Sequence, residues 1–331
     1  MIDEIYPRLF LGVLADGIGN TSPGLQKLIE QHRYQNTIGH CFGSLVNAIY
    51  RDDPQSDIGL KYGRHLCPEV LCDYSRLMMT SKDTMDLLRL LEEVHPYHDG
   101  SYYPFVEISE EHVSIAIAFP YKAEITDFQR RFCCESIFAF TTNVLKRMSG
   151  KEFTPPKIRL DFPRPSYASE YVSLFGDNVR FDAGINLIEF ESDYLKESLQ
   201  TRDSILHQTY RDKCLLADHP RDNFVKAVAL KLIQHHPESF GCPYLANLMN
   251  LSVRGLQNRL NKSGVTFSEV SSWVRRELSK KYLLQERRNV AWTGDLLGFE
   301  SLSGFNRYFQ NTFGMSANTF VNRYQIHKSS D

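Results

Sequence analysis

Two matched sets of polar side chains are the residues of this 331-residue chain best placed to do chemistry. Arg254, Gln257, Asn258 and Asn261 fall on one side of an expected helix. Ser303, Asn306, Arg307 and Gln310 fall on the same side of a second. An arginine donates a forked pair of bonds to guanine in the major groove, and Asn or Gln bonds adenine in the same bidentate way. Arg254 and Arg307 are the only charges on these faces, and no Asp or Glu stands among them to repel phosphate. Arg254, Gln257, Asn258, Asn306 and Arg307 are therefore expected at base edges. Ser252, Ser303 and Gln310 suit the sugar–phosphate backbone, and Asn261 completes the candidate DNA-contact set. One polar helix face alone would mean little, because any solvated helix has one. The duplication carries the argument.

Each face belongs to the same small device: a short helix, a tight turn and a second helix. The first copy runs from Leu245 to Leu260 and the second from Gly294 to Phe309. Asn250 and Gly298 fill the turn, where a residue tolerant of positive φ is needed. Ser252 and Ser301 follow as N-caps, whose hydroxyls accept a bond from a free amide of the next turn. Beyond the caps, Val253, Leu256 and Leu260 form an inward stripe in one copy, and Leu302, Phe305 and Phe309 in the other.

These residues carry a resemblance. Residues 222–327 look like the DNA-binding domain of AraC-type transcription regulators. The likeness rests on Met249-x-x-Ser252-x-Arg254-x-Leu256-x-x-Arg259-Leu260, Gly264-x-x-Phe267, Arg275-Arg276, Leu296-Leu297-Gly298-Phe299, Ser303-x-Phe305-x-Arg307-x-Phe309 and Gly314-x-Ser316. It implies an all-α domain of two helix-turn-helix units joined by a long helix. The two recognition helices would enter successive major grooves about 34 Å apart. It further implies a cytoplasmic regulator, an activator rather than a repressor, with double-stranded DNA and RNA polymerase as partners. Trp292-Thr293-Gly294 and Ala317 depart from the family pattern. Because an interior glycine costs a helix about 1 kcal/mol relative to Ala, the second unit is expected to dock more weakly than the first. Ser268 is expected to cap the joining helix, Glu269 to Asn289. Its Arg275, Arg276, Lys280, Lys281, Arg287 and Arg288 fit either a solvated face or phosphate contact.

Charge divides the chain in the same place. Residues 1–221 hold 24 Lys and Arg against 32 Asp and Glu, a balance of −8, whereas residues 222–327 hold 13 against 7, a balance of +6. A basic third behind an acidic body is the footprint of phosphate contact and counterion release. The seven cysteines form no CxxC and no framework, so reduced thiols are expected, Cys133-Cys134 included. No apolar run approaches membrane-spanning length, and no signal peptide is apparent.

The N-terminal part reads as an α+β sensor domain, helices plus antiparallel strands. Helices are expected around Leu25 to Ile29, over Cys41 to Tyr50, Thr80 to Val94, Thr126 to Met148 and Tyr167 to Phe175. Strands are expected over Tyr102 to Ile108, His112 to Phe119 and Pro156 to Phe162, with a final pair at Val179 to Phe181 and Asn186 to Phe190. Ile58-Gly59-Leu60-x-x-Gly63 and Tyr167-x-x-x-Tyr171-x-x-x-Phe175-Gly176-x-x-Val179-x-Phe181-x-Ala183-x-x-Asn186-x-x-Glu189-Phe190 resemble the arabinose-binding-type effector domain of ornithine and arginine-type regulators. That implies a small-molecule effector of unspecified identity, bound between helices and sheet.

The expected division is therefore an effector-binding and dimerisation domain over 1–205, a polar linker over 206–222 and the double helix-turn-helix domain over 223–327. A homodimer is an open assembly. An N-terminal domain that only dimerises, or an enzyme fused to the DNA-binding part, are the alternatives. No catalytic motif is present, no cofactor is expected, and His95-x-x-His98 and His235-His236 lack the further ligands of a metal site.

Overall fold

The computed structural model describes residues 46–66, 73–93, 102–120, 125–149, 156–193, 199, 201–216 and 224–325. The helix expected around Leu25, the start of that at Cys41, and the pair His95 and His98 lie outside these residues. Residues 46–52 are helical. They precede α1 (Ile58–His65), α2 (Asp73–Met79) and α3 (Thr84–Glu93). The strand hairpin β1 (Tyr103–Ile108) and β2 (His112–Ala118) follows, then the long helix α4 (Asp127–Ser149). Next come β3 (Lys157–Arg159), α5 (Ala168–Phe175), β4 (Val179–Arg180) and β5 (Leu187–Glu191).

The sheet order is β1-β2-β5-β3-β4. β1 and β2 pair antiparallel as expected, with Phe105 opposite Ala116. The strands expected as a final pair do not pair with each other. β3 lies between them, antiparallel to β5 and parallel to β4. α5 supplies the crossover that a parallel β3–β4 pair requires. A turn at Ala183-Gly184 looks like a hairpin in sequence, but here it carries the chain past β3.

α4 is buried on two sides, which is why its apolar residues do not gather in one stripe. Cys134 and Phe138 pack on the sheet with Val113, Ile115, Ile117 and Ile188. Phe132 packs with Ile58, Tyr62 and Tyr50 on the other side. α1 can lie against α4 because it presents two glycines. A Cβ at Gly59 would stand 2.7 Å from Glu135 Cβ, and one at Gly63 would stand 2.7 Å from Ala139 Cβ. Both are closer than carbon atoms approach.

The stretch expected as a linker from residue 206 is helical through Leu216. α6 (Ser204–Leu216) packs on α2. Cys214 is buried among Val46, Leu77 and Leu90, and Arg211 pairs with Glu93 at 3.0 Å. Its polar sequence is the outer side of a docked helix.

The C-terminal part holds α7 (Phe224–Gln234), α8 (Cys242–Leu248), α9 (Val253–Lys262), α10 (Phe267–Lys280), α11 (Val290–Leu296), α12 (Leu302–Phe313) and α13 (Ala317–Tyr324). Thr266, not Ser268, caps α10. Its hydroxyl accepts from Glu269 N, and the Glu269 carboxylate accepts from Thr266 N at 2.7 Å. The reciprocal bonds fix the helix start two residues earlier than the serine would. The joining helix also does not run to Asn289. After Lys280 it widens into a π-type turn over Lys281–Gln285, where Glu286 N donates to Lys281 O five residues back.

The sheet is apolar on both faces, which the alternation does not suggest. Val113, Ile115 and Ile117 face α4, while Ala116, Ala118, Phe105 and Leu187 join the core of the C-terminal part. Small side chains at Ser114, Ala116 and Ala118 let the widened turn come close. Gln285 Nε2 donates to Phe105 O at 2.9 Å and reaches Ser114 O and Oγ. Arg159 on β3 donates to Tyr324 O at 2.9 Å and Leu284 O at 3.3 Å. Lys280, paired with Glu277 at 2.8 Å, stands 3.8 Å from Asp161.

Candidate nucleic-acid interface

In the first unit, α8 ends in a turn at Asn250, whose φ is +54°. Leu251 N closes the turn on Ala246 O at 2.8 Å. Ser252 then caps α9, its hydroxyl accepting from Gly255 N at 3.0 Å. The second unit repeats this bond for bond. Gly298 takes φ +72°, Phe299 N closes on Gly294 O at 3.1 Å, and Ser301 accepts from Gly304 N at 3.2 Å. Asn289 caps α11 by accepting from Trp292 N at 2.8 Å. Gly294, the departure expected to loosen α11, lies against α12. A Cβ there would stand 3.2 Å from Phe305 Cβ.

Leu256, Leu260, Phe305 and Phe309 are each fully buried and fix the two recognition helices to the core. Arg254, Gln257, Asn258 and Asn261 on α9 are exposed, as are Ser303, Asn306, Arg307 and Gln310 on α12 and the cap Ser252. The fold thus turns all nine candidate side chains outward. Val253 and Leu302, which spacing assigns to the inward stripes, are 38% and 48% exposed. Each is the first residue of its helix, one turn short of the core, and stands beside the polar face.

The basic residues of the joining helix divide. Arg275 is structural: its Nε donates to Leu297 O at 2.9 Å, and its guanidinium lies 4.2 Å from the Phe240 ring and 4.8 Å from the Phe299 ring. Burial pulls its pKa below the usual arginine value. Lys280 is buried, and Lys281 and Arg288 pair with Glu286 at 3.4 and 3.2 Å. Arg287 is exposed. A helical position does not reveal these differences, because Arg275 is fixed by Leu297 and Phe299 of the second unit and Lys280 faces Asp161 of the N-terminal part.

None of the cysteines described at Cys133, Cys134, Cys214 and Cys242 is in a disulfide, and Cys134 and Cys214 are buried. His236 contacts Ile233 O and Tyr282 OH through its two ring nitrogens. Among the described residues no cluster of three His, Cys, Asp or Glu could hold a metal ion, and no helix is long and apolar enough to cross a membrane.

A family model described as the arabinose-binding domain of AraC transcription regulators, N-terminal, matches residues 31–199. A helix-turn-helix domain model matches residues 245–323. The chain belongs to the AraC-type transcription regulators, whose members are regulators rather than enzymes. Among curated proteins, it is 24% identical over 186 residues to the ornithine utilization regulator of Pseudomonas aeruginosa. That match covers 55% of this chain and 55% of the relative, so the chain spans about half the length of the curated relative it matches. Among solved structures, the transcriptional regulator CdpR from Pseudomonas aeruginosa aligns over 95% of this chain and 97% of its own. Sequence identity there is 18% and the TM-score is 0.45.

Proposed function

We propose that the chain is a sequence-specific DNA-binding activator whose affinity for its operator is set by a small molecule bound in the N-terminal part. The observation that carries this reading is the repeated helix-turn-helix, capped by the same bonds twice and outward-facing at every candidate contact. Arg254, Gln257, Asn258, Asn306 and Arg307 read base edges, while Ser252, Ser303 and Gln310 hold the phosphate backbone and Asn261 adds a contact at the groove edge. Val253 and Leu302 meet thymine methyl groups, the apolar feature of the major groove.

Effector control is supported by the interface between the sheet and the widened turn. Gln285 and Arg159 bind main-chain carbonyls across it, so a shift of β1, β2 or β3 would change the placement of α10 and α13. The test is selection of duplexes from a random pool by the full chain, repeated with Arg254→Ala. Expected is a loss of about 1–3 kcal/mol in affinity and relaxed preference at one base pair. Unchanged affinity and preference would remove Arg254 from the reading face.

A further inference from the structure

Arg131, on α4, is held by two of its three nitrogens. Nε donates to Glu135 Oε1 at 3.1 Å and Nη1 to Pro54 O at 3.1 Å. Nη2 is buried without a hydrogen-bond partner. A buried donor left unmade is costly, and most such groups in folded chains are satisfied. Glu135 does not fill the gap, because tyrosines occupy it: Tyr167 and Tyr171 donate to Oε1 at 2.6 and 2.5 Å, and Tyr50 donates to Oε2 at 3.2 Å. The guanidinium is walled by rings, 4.9 Å from the centroid of Tyr167, 5.4 Å from Tyr50 and 5.7 Å from Phe162. The place is not sealed. The Arg131 side chain is 13% exposed, and Phe128, one turn earlier and stacked on Tyr50, is 37% exposed.

We propose that Arg131 anchors the effector site, and that the effector is a small planar carboxylate whose oxygen accepts from Nη2 while its body lies along these rings. This rests on the reading of the N-terminal part as a sensor. A guanidinium N–H gives a carboxylate oxygen a charge-assisted bond stronger than one between neutral groups. The aromatic wall favours a flat apolar body, and the positive charge of Arg131 disfavours a cationic one.

The test uses the full chain with benzoate and phenylacetate as probes and benzamide as the neutral counterpart, all at matched ionic strength, with melting temperature as the readout. At least one carboxylate raises the melting temperature saturably, and benzamide does not. Arg131→Met abolishes the shift, and Arg131→Lys, which keeps the charge but removes Nη2, weakens the affinity read from its concentration dependence about tenfold or more. Should Arg131→Met fail to fold, the Arg131→Lys comparison decides alone. An equal shift in wild type and in the Arg131 variant used, or no shift with either carboxylate, overturns the site. A neutral or cationic small molecule that stabilises wild type and the Arg131 variant alike would overturn the site while leaving the sensor reading standing.

Discussion

Glu135 is the residue whose chemistry is most altered by the fold. Burial pushes its carboxyl up to about 7, against the pull of Arg131 and the hydroxyls of Tyr171 and Tyr50. Around it stand Tyr50, Arg131, Cys133, Tyr167 and Tyr171, and the tyrosine hydroxyls of residues 50 and 171 are themselves raised by burial and by the carboxylate. The folded chain therefore holds a proton here that the unfolded chain releases near pH 4.5. Stability contributed by this group is fully present below that pH and falls as pH rises towards 7, by up to about 3 kcal/mol. Thermal unfolding at pH 5 and pH 8 checks this: the difference should shrink in Glu135→Gln. A difference of the same size in the variant would assign the pH dependence elsewhere. In sequence, Arg131 and Glu135 are four apart on a helix and look like a solvated ion pair. Nothing local discloses that three tyrosines, from residues 50 to 171, converge on them. Val253 and Leu302 show the opposite error, because helical spacing names a stripe without saying where the core stops covering it.

Elements set by local signals were legible, and those set by distant partners were not. The helix-turn-helix units needed only a cap, a turn residue and an apolar period, all within about fifteen residues of one another. The β1–β2 hairpin and α4 were legible for the same reason. The neighbours of β4 and β5 were not, because pairing is decided by the crossover through α5 and not by the short turn between them. The start of α10 is ambiguous in sequence because Thr266 and Ser268 can both cap a helix, and only the reciprocal Glu269 bond chooses between them. The contact of α1 with α4 rests on Gly63, where any Cβ would meet the Ser136 backbone and Ala139. Gly63→Ala is expected to lower stability by about 1–3 kcal/mol in thermal or denaturant unfolding, despite its better helix propensity. A stabilised variant would mean that the two helices have room to part.

At the scale of the whole molecule, the second face of the sheet was the feature least visible in the sequence. Ser114, Ala116 and Ala118 read as the outer side of a half-buried sheet, yet they are buried under Gln285 and its neighbours. Arg159, pulled down to about 10 by burial, donates to carbonyls of the C-terminal part and has no carboxylate partner there among the described residues. Arg159→Met would leave Leu284 O and Tyr324 O without their donor, at about 1–3 kcal/mol for each buried group. Calorimetry of the full chain should then show the N- and C-terminal parts melting separately where the wild type melts as one unit. A single unaltered transition would show that these bonds do not couple them.

The claim on which the account depends is that α9 and α12 read DNA together. Hydroxyl-radical footprinting of the full chain on its selected duplex tests it most directly. Two protected segments are expected on one face, about one helical turn apart. Arg254→Ala should weaken one and Arg307→Ala the other, with the Arg254 change costing more affinity. A single protected segment, or two that respond identically to both substitutions, would contradict it.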